Sequence, residues 1–343
     1  MRNLLALLLL GVAVLSAHGQ HGKLNLFIWS EYIDPQVVAD FEKAHQCKVE
    51  IDLFEDSESM LAKVQNGGAG LYDVVVVSDN MVPVMIKQIL LSPLRLEVIP
   101  NLKNLDARFC NPSYDPGNKF TAAYQWGTVG ILYRKGAGRA PVNSWGALFD
   151  AKQQPGSFLL MDSVRDTVGA ALKYKGYGAN SIDPKQLREI RDLLIEAKKR
   201  SAGFDGSVGA KNKVLGKTAQ AGIVYSGEGV RAALENKDLE YVVPREGSII
   251  WVDSMAILSG APHRDLAEKF INYLLEAGVG ARISRFTQFS TPNAASRKLL
   301  TPEELGNRAV YPDAETMARL EFLQDLGAKT RLYDEVWTQV KAK

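Results

Sequence analysis

The sequence has little of what marks an enzyme or a nucleic-acid-binding protein. It contains two cysteines and four histidines in 343 residues, and 41 Lys and Arg nearly balance 39 Asp and Glu, for a formal charge of +2. That balance argues against a nucleic-acid partner, which needs a basic patch. The sequence also lacks Gly-x-Ser-x-Gly, a Walker loop, His-Glu-x-x-His and the dinucleotide fingerprint. We therefore expect no catalytic residues, no metal ligands, no cofactor and no nucleic acid.

The cysteines are Cys47 and Cys110, and nothing in the sequence says whether they pair. Disulfides form in exported proteins, but two distant cysteines do not establish a disulfide framework. One disulfide and two free thiols therefore stay open as alternatives.

Long apolar runs are missing except near the N-terminus, where residues 4–15 are almost all apolar. A short basic start precedes this run and small residues follow it, which is the pattern of a secretory signal peptide. Residues 1–19 fit that pattern best, with cleavage after Gly19 and Ala17 at position −3. The run is too short for a permanent anchor, which needs about 20 apolar residues. We expect an exported, soluble mature chain.

What is present is an alternation of strand and helix signals. Strands are predicted over residues 23–29, 48–54 and 73–77, and helices begin between them at Asp34-Pro35 and Ser57. Further strands are predicted over residues 129–133, 157–161, 221–225, 241–243 and 249–252, and further helices from Asp183-Pro184 onwards, over 264–275 and over 320–340. This alternation is typical of an α/β sheet. A chain of this length is expected to form two lobes, because one hydrophobic core rarely serves so many residues.

Polar and aromatic residues stand at the ends of several predicted strands. These strand-end residues are Trp29, Ser30, Ser78, Ser163, Asp166 and Tyr225. In open α/β sheets, ligands bind beyond the carboxyl ends of the strands. We therefore expect these residues to share a ligand site.

The triplet Trp251-Val252-Asp253 sets an indole beside a carboxylate in an otherwise apolar strand. A buried carboxylate needs a partner, and a cation gains by lying over an indole face within about 6 Å. An organic amine satisfies both requirements. The alternative is that Trp251 belongs to the core, as tryptophan usually does, and that Asp253 caps a turn. Agreement with the strand-end residues favours the binding interpretation.

Several longer stretches resemble a known family. Residues 29–32, 72–78, 124–127, 144–145, 251–254, 291–293 and 311–316 are similar to the periplasmic spermidine/putrescine-binding proteins of polyamine ABC transporters. The resemblance implies an α/β, two-lobe periplasmic-binding-protein fold with the ligand in a cleft between the lobes. It places lobe 1 at residues 20–126 plus 251–298 and lobe 2 at residues 127–250 plus 299–343.

The resemblance also implies the ligand-binding residues, position by position. They are Trp29, Ser30, Glu31, Tyr32, Ser78, Ser163, Asp166, Tyr225, Trp251, Asp253 and Phe289. In this assignment Trp29 and Trp251 enclose a methylene chain, while Asp253 and Asp166 hold amine ends. The chain departs from the family where Ser163 replaces an aspartate, Tyr225 a tryptophan, Phe289 and Asn80 a tyrosine, and Leu323 a glutamine.

These departures predict a pocket with fewer acids and hydrogen-bonding groups than the family has. A charge that is desolvated without a partner costs several kcal/mol. A putrescine-like diamine is therefore favoured as the ligand, with spermidine possible. The resemblance further implies a periplasmic, monomeric protein whose partners are a membrane permease and its ATPase.

Three alternatives stay open. Arg165 can pair with a carboxylate through its bidentate fork, which makes an ω-amino acid such as 4-aminobutyrate or 5-aminovalerate the second choice of ligand. Asp166 and Asp253 can act as the paired carboxylates of a secreted enzyme. The same fold can also serve a sensor that presents its liganded form to a signalling partner.

Overall fold

The computed structural model describes residues 22–137 and 142–343. The predicted signal peptide, residues 1–19, lies outside the described residues. The strands are β1 (Gly22–Trp29), β2 (Cys47–Phe54), β3 (Val74–Ser78), β4 (Leu91–Ser92), β5 (Thr121–Arg134), β6 (Phe158–Met161), β7 (Phe204–Asp205), β8 (Ala221–Tyr225), β9 (Leu239–Val242), β10 (Ile249–Leu258) and β11 (Glu321–Phe322).

The α-helices are α1 (Pro35–His45), α2 (Ser57–Gln65), α3 (Val82–Lys87), α4 (Gly146–Phe149), α5 (Val164–Tyr174), α6 (Pro184–Arg200), α7 (Ser207–Leu215), α8 (Ser226–Glu235), α9 (Arg264–Leu274), α10 (Ala277–Thr287), α11 (Ala294–Arg297), α12 (Pro302–Gly306), α13 (Ala314–Met317) and α14 (Thr330–Ala342). Short 3₁₀ helices occur at Gly68–Gly70, Leu96–Val98, Pro100–Asn104, Ala107–Phe109, Pro116–Asn118 and Gly327–Lys329.

The described strands join in one sheet, in the order β2-β1-β3-β10-β5-β8-β6-β7. β1 runs parallel to β2 and β3, and β6 runs parallel to β7 and β8, whereas β10 runs antiparallel to β3 and β5. Parallel neighbours need crossover connections, usually helices, and α1 and α2 supply them between β1, β2 and β3. The α/β alternation expected from the sequence is confirmed.

Two long strands, β5 and β10, connect the two ends of this sheet. Residues 121–128 of β5 pair with β10, and residues 129–134 of the same strand pair with β8 and β9. β10 in turn pairs with β3 through residues 253–257. The strands on the β1–β3 side form a first lobe, and those on the β6–β9 side form a second. The predicted lobe boundaries, residue by residue, stay a prediction.

Capping signals in the sequence are confirmed at two helices. The Asp34 carboxylate accepts a hydrogen bond from the Gln36 N–H, with Pro35 in the first turn of α1. Asp183 caps α6 in the same way, ahead of Pro184. In each case the aspartate side chain accepts a hydrogen bond from a free backbone N–H, and the proline that follows has no N–H to satisfy. Together they fix the start of the helix.

Two local predictions are wrong. The N-cap of α2 is Asp56, and Ser57 is the first helical residue. The helix predicted over residues 320–340 begins only at Thr330. Its first part pairs with the start of β10 as strand β11, so tertiary pairing overrides the local helical pattern there.

Cys47 and Cys110 are free thiols, one buried in β2 and the other exposed. Of the two alternatives that the sequence left open, one disulfide or two free thiols, the structure shows the two free thiols. Among residues 22–137 and 142–343, no group of three His, Cys, Asp or Glu side chains is arranged to hold a metal ion. No helix in the described part of the chain has the length and apolar character to cross a membrane.

The junction of the two lobes is packed so tightly that it requires glycine. A Cβ atom at Gly127 in β5 would lie 2.6 Å from Cζ2 of Trp251 in β10 and 2.7 Å from Oγ of Ser226. A Cβ at Gly227 would meet the Phe289 ring at 2.7 Å. These glycines let the crossing strands and the start of α8 close on the aromatic side chains.

We predict that Gly127→Ala destabilises the protein, because the added methyl group forces the buried Trp251 ring out of place. The expected loss in the free energy of unfolding is about 1–3 kcal/mol, the usual cost of overpacking. Urea titration followed by tryptophan fluorescence measures it. Gly278→Ala in α10 is the matched control, since a Cβ there meets nothing within 4 Å. Equal stability of the two variants would contradict the tight junction.

Candidate functional site

A cavity lies between the lobes, beyond the carboxyl ends of the parallel strands. Ten of the eleven predicted ligand-binding residues line it, namely Trp29, Ser30, Tyr32, Ser78, Ser163, Asp166, Tyr225, Trp251, Asp253 and Phe289. The volume open to the centres of water-sized spheres is about 80 Å³. The carboxyl ends of the strands thus bring together residues that are more than two hundred positions apart in the sequence.

Asp253 lies deep in the cavity wall that the first lobe contributes. Its Oδ1 accepts a hydrogen bond from Ser78 Oγ at 2.6 Å, and its Oδ2 accepts one from Tyr32 Oη at 2.8 Å. Ser78 is held opposite Asp253 by the antiparallel register of β3 and β10. Burial, opposed by these two hydroxyls, raises the pKa of Asp253 to about 7. In the described residues no cation forms an ion pair with this carboxylate.

Asp166 has the same surroundings in the second lobe. Its Oδ2 accepts hydrogen bonds from Ser163 Oγ at 2.7 Å and from Tyr225 Oη at 2.9 Å. The carboxylate lies in the first turn of α5, where the helix dipole favours negative charge. Burial raises the pKa of Asp166. Each lobe therefore presents one buried carboxylate that is held by one serine and one tyrosine.

This arrangement gives a role to Ser163 and Tyr225, two positions that depart from the family. Both side chains donate to Asp166, so they orient an acid. Ser163 does so from three positions away in the sequence, whereas Tyr225 reaches Asp166 in α5 from the end of β8, a contact between distant segments.

The cavity is also strongly acidic. Its lining contains seven carboxylates, those of Glu55, Asp56, Glu58, Asp79, Asp166, Glu228 and Asp253, against one guanidinium, that of Arg165. Burial raises the pKa of Glu58, Asp79 and Glu228. The prediction that the pocket has fewer acids than those of the family stays a prediction. The electrostatics favour a ligand with more than one positive charge.

A sequence signal could have found most of the missed acids. Residues 55–58 directly follow β2, and Asp79 directly follows β3, so the strand-end rule that located Ser78 applies to them as well. Glu228 is different. It lies in Gly227-Glu228-Gly229, which reads as a turn, yet the structure places it in the first turn of α8.

Aromatic rings form the wall between the two lobes. The Trp251 ring lies edge-on to Tyr225 and Phe289, with centroid distances of 5.5 and 5.1 Å. Trp29 also lines the cavity and packs against Phe54 at 4.4 Å. Trp251 is thus both a packing residue and a cavity wall, and the binding interpretation of the sequence stays a prediction.

Glu31 is the predicted ligand-binding residue that the structure does not place in the cavity lining. Its backbone has φ 54°, in the left-handed region, and its carboxylate contacts Lys211 at 2.6 Å and Arg231 at 2.7 Å. Sequence position alone could not reveal this turn. The neighbouring Ser30 does line the cavity and donates a hydrogen bond to Glu55.

Arg165 is occupied by protein groups. Its Nη1 donates to the Gln324 carbonyl at 3.1 Å, its Nη2 donates to Asn180 Oδ1 at 2.9 Å, and its guanidinium lies 4.7 Å from the centroid of Tyr333. These contacts brace the first turn of α5, which carries Asp166. They occupy both terminal nitrogens of the guanidinium, whereas its buried Nε has no hydrogen-bond partner among the described residues.

The raised pKa of Asp253 makes a prediction for the protein without ligand. A carboxyl group that holds its proton up to a pH of about 7 in the folded state, against 3.8 in its ordinary state, binds more protons folded than unfolded. Its contribution to the free energy of unfolding therefore falls as pH rises from about 4 to 7, by at most ~1.4 kcal/mol per pH unit. Asp253→Asn removes that slope. Urea titrations of both proteins between pH 5 and 8 measure the difference, and parallel curves would contradict the assignment.

The chain is similar to known solute-binding proteins over most of its length. Residues 36–306 match the family described as bacterial extracellular solute-binding protein. The spermidine/putrescine-binding periplasmic protein of Escherichia coli (strain K12) is 32% identical over 343 residues, which cover 99% of this chain and 98% of that protein. A putrescine/cadaverine-binding protein of Pseudomonas aeruginosa is 31% identical over 335 residues, 94% of each chain.

A solved structure of a spermidine/putrescine ABC transporter from Listeria monocytogenes shares the fold. It is 34% identical, with a TM-score of 0.88 over 93% of this chain and 99% of that one. The two-lobe periplasmic-binding-protein fold expected from the sequence is confirmed. Both the family match and the relatives cover most of the chain. The protein belongs to the bacterial extracellular solute-binding protein family.

Proposed function

We propose that the protein is the periplasmic substrate-binding subunit of an ABC importer and that it captures a putrescine-like diamine between its lobes. One observation carries the proposal. Asp253 in the first lobe and Asp166 in the second are buried, are held only by hydroxyl groups, and have no ion-pair partner among the described residues. A diamine places one ammonium on each carboxylate and so satisfies both.

The rest of the cavity suits the same ligand. Trp29 and Trp251 offer apolar faces to a methylene chain and electron-rich faces to ammonium groups. A cavity of about 80 Å³ exceeds the ~10–15 Å³ that one water molecule needs, so it has room for a small ligand. The relatives support the choice, since their names are those of spermidine/putrescine- and putrescine/cadaverine-binding proteins.

An ω-amino acid is less well supported. Its carboxylate would enter a cavity lined by seven acids, and the guanidinium of Arg165 is taken by Gln324 and Asn180. The enzyme alternative also loses ground, because the family is one of solute-binding proteins. We infer that Asp166 and Asp253 bind charge and take part in no bond-making step.

On this proposal the protein delivers its ligand to a permease by closing its two lobes. The lobes rotate about the crossing strands β5 and β10, at Trp126-Gly127 and residues 247–251, and the liganded form docks on a membrane permease that works with an ATPase. On this proposal the chain is monomeric, is exported by a signal peptide over residues 1–19, and needs no cofactor. The lobe boundaries are those predicted from the sequence.

We predict that Asp253→Asn and Asp166→Asn each weaken putrescine binding by about 30-fold or more, because truncating one partner of a buried charge pair costs about 2–5 kcal/mol. Calorimetric titration of refolded, ligand-free protein measures the change. Asp162→Asn is the matched control, since Asp162 is exposed and pairs with Lys341 on the surface. Wild-type affinity in either cleft variant would contradict the proposed anchors.

Binding should also depend on pH. A cation needs Asp253 ionised, and between pH 8 and pH 6 the ionised fraction of a carboxyl with a pKa of about 7 falls roughly tenfold. The Kd for putrescine is therefore expected to rise about tenfold over that interval, with proton release on binding. Titrations in buffers of different ionisation enthalpy measure both effects. A Kd that is constant from pH 6 to pH 8 would contradict this role of Asp253.

A further inference from the structure

We propose that Glu31 is a lobe-locking residue that sets the lifetime of the closed, liganded form without touching the ligand. Glu31 lies in the turn that follows β1 in the first lobe, and its partners Lys211 and Arg231 lie on α7 and α8 of the second lobe. This inference rests on the proposed function in one respect only, the identity of the ligand that is enclosed.

The contacts of Glu31 cross the mouth of the cleft. Its Oε2 is 2.6 Å from Lys211 Nζ and 2.7 Å from Arg231 Nη2, and its main-chain oxygen accepts a hydrogen bond from Arg231 Nη1 at 3.0 Å. The left-handed φ of 54° turns the carboxylate away from the cavity and towards these cations. A non-glycine residue with positive φ is uncommon, and here it aims a charge at the other lobe.

Burial separates this network from an ordinary surface ion pair. Lys211 is 7% exposed, and among the described residues Glu31 is the only carboxylate in an ion pair with it. Exposed pairs contribute little to stability, but a buried charge left without a partner is costly. Parting the lobes lets water reach Lys211, whereas closing them without Glu31 leaves Lys211 with no ion-pair partner among the described residues. Glu31 therefore favours the closed form.

The network also reaches the cavity wall. Arg231 Nη2 lies 3.2 Å from Oε1 of Glu228, which is buried and lines the cavity. Glu31 and Glu228 share the Nη2 nitrogen of this guanidinium. Without Glu31, the whole charge of Arg231 is free to pair with Glu228 and to compete with a ligand ammonium. Both effects of losing Glu31 lower the affinity for a cationic ligand.

The test is Glu31→Gln, which keeps the shape of the side chain and removes its charge. We expect putrescine to dissociate about tenfold faster in a stopped-flow displacement experiment, with the association rate changed less than about threefold, because mutations of this kind act mostly on dissociation. Lys213→Met is the matched control. Lys213 lies on the same helix but pairs with Asp205 inside the second lobe, so wild-type dissociation is expected.

A double variant that combines Glu31→Gln with Lys211→Met tests whether Glu31 acts through Lys211. If Glu31 acts through Lys211, the double variant dissociates little faster than the faster single variant, since contacting residues are not additive. Fully additive effects would overturn the assigned contact.

A measurement without ligand keeps the inference separate from the proposed function. Small-angle X-ray scattering of amine-free protein should give a larger radius of gyration for Glu31→Gln than for wild type and Lys213→Met. Failure of the wild type to bind putrescine would reject the proposed ligand, and the scattering would still test the lock. Unchanged scattering together with an unchanged dissociation rate, where putrescine binds, would overturn the role of Glu31.

Discussion

Burial of carboxylates without a cation is the constraint on which the structure of this cleft depends. Asp253 and Asp166 are each about 5–6% exposed, yet each is held only by one serine and one tyrosine hydroxyl. Hydroxyl groups orient a carboxylate but leave its charge uncompensated. A cationic ligand would lower this cost, which is the physical basis of the proposed preference for amines.

The crossing strands β5 and β10 place these buried carboxylates between the lobes. Side chains alternate along β10, so Trp251 and Asp253 face the ligand cavity while Ile250 and Val252 face a second cavity on the opposite side of the strand. Gly127 lets β5 approach the Trp251 ring. One strand thus carries both an aromatic wall of the cavity and the buried Asp253 carboxylate at the point where the lobes meet.

Sequence reasoning located this end of the site for a physical reason. Asp253 and Trp251 stand out because an acid in an apolar strand needs an explanation, and strand ends gather in one place in an α/β sheet. What could not be predicted depends on contacts between distant segments. A backbone φ turns Glu31 towards Lys211, and pairing with β10 converts the start of the helix predicted over residues 320–340 into a strand.

The most direct test of two-ended binding compares ligands that differ at one end only. Calorimetric titration of refolded, ligand-free protein with putrescine, butylamine and 4-aminobutyrate keeps a chain of four carbons and replaces one terminal CH₂–NH₃⁺ group by CH₃ or by COO⁻. If Asp253 and Asp166 each bind an ammonium group, putrescine binds tightest and both analogues lose at least about 30-fold in affinity. Equal or tighter binding of butylamine or 4-aminobutyrate would contradict the account.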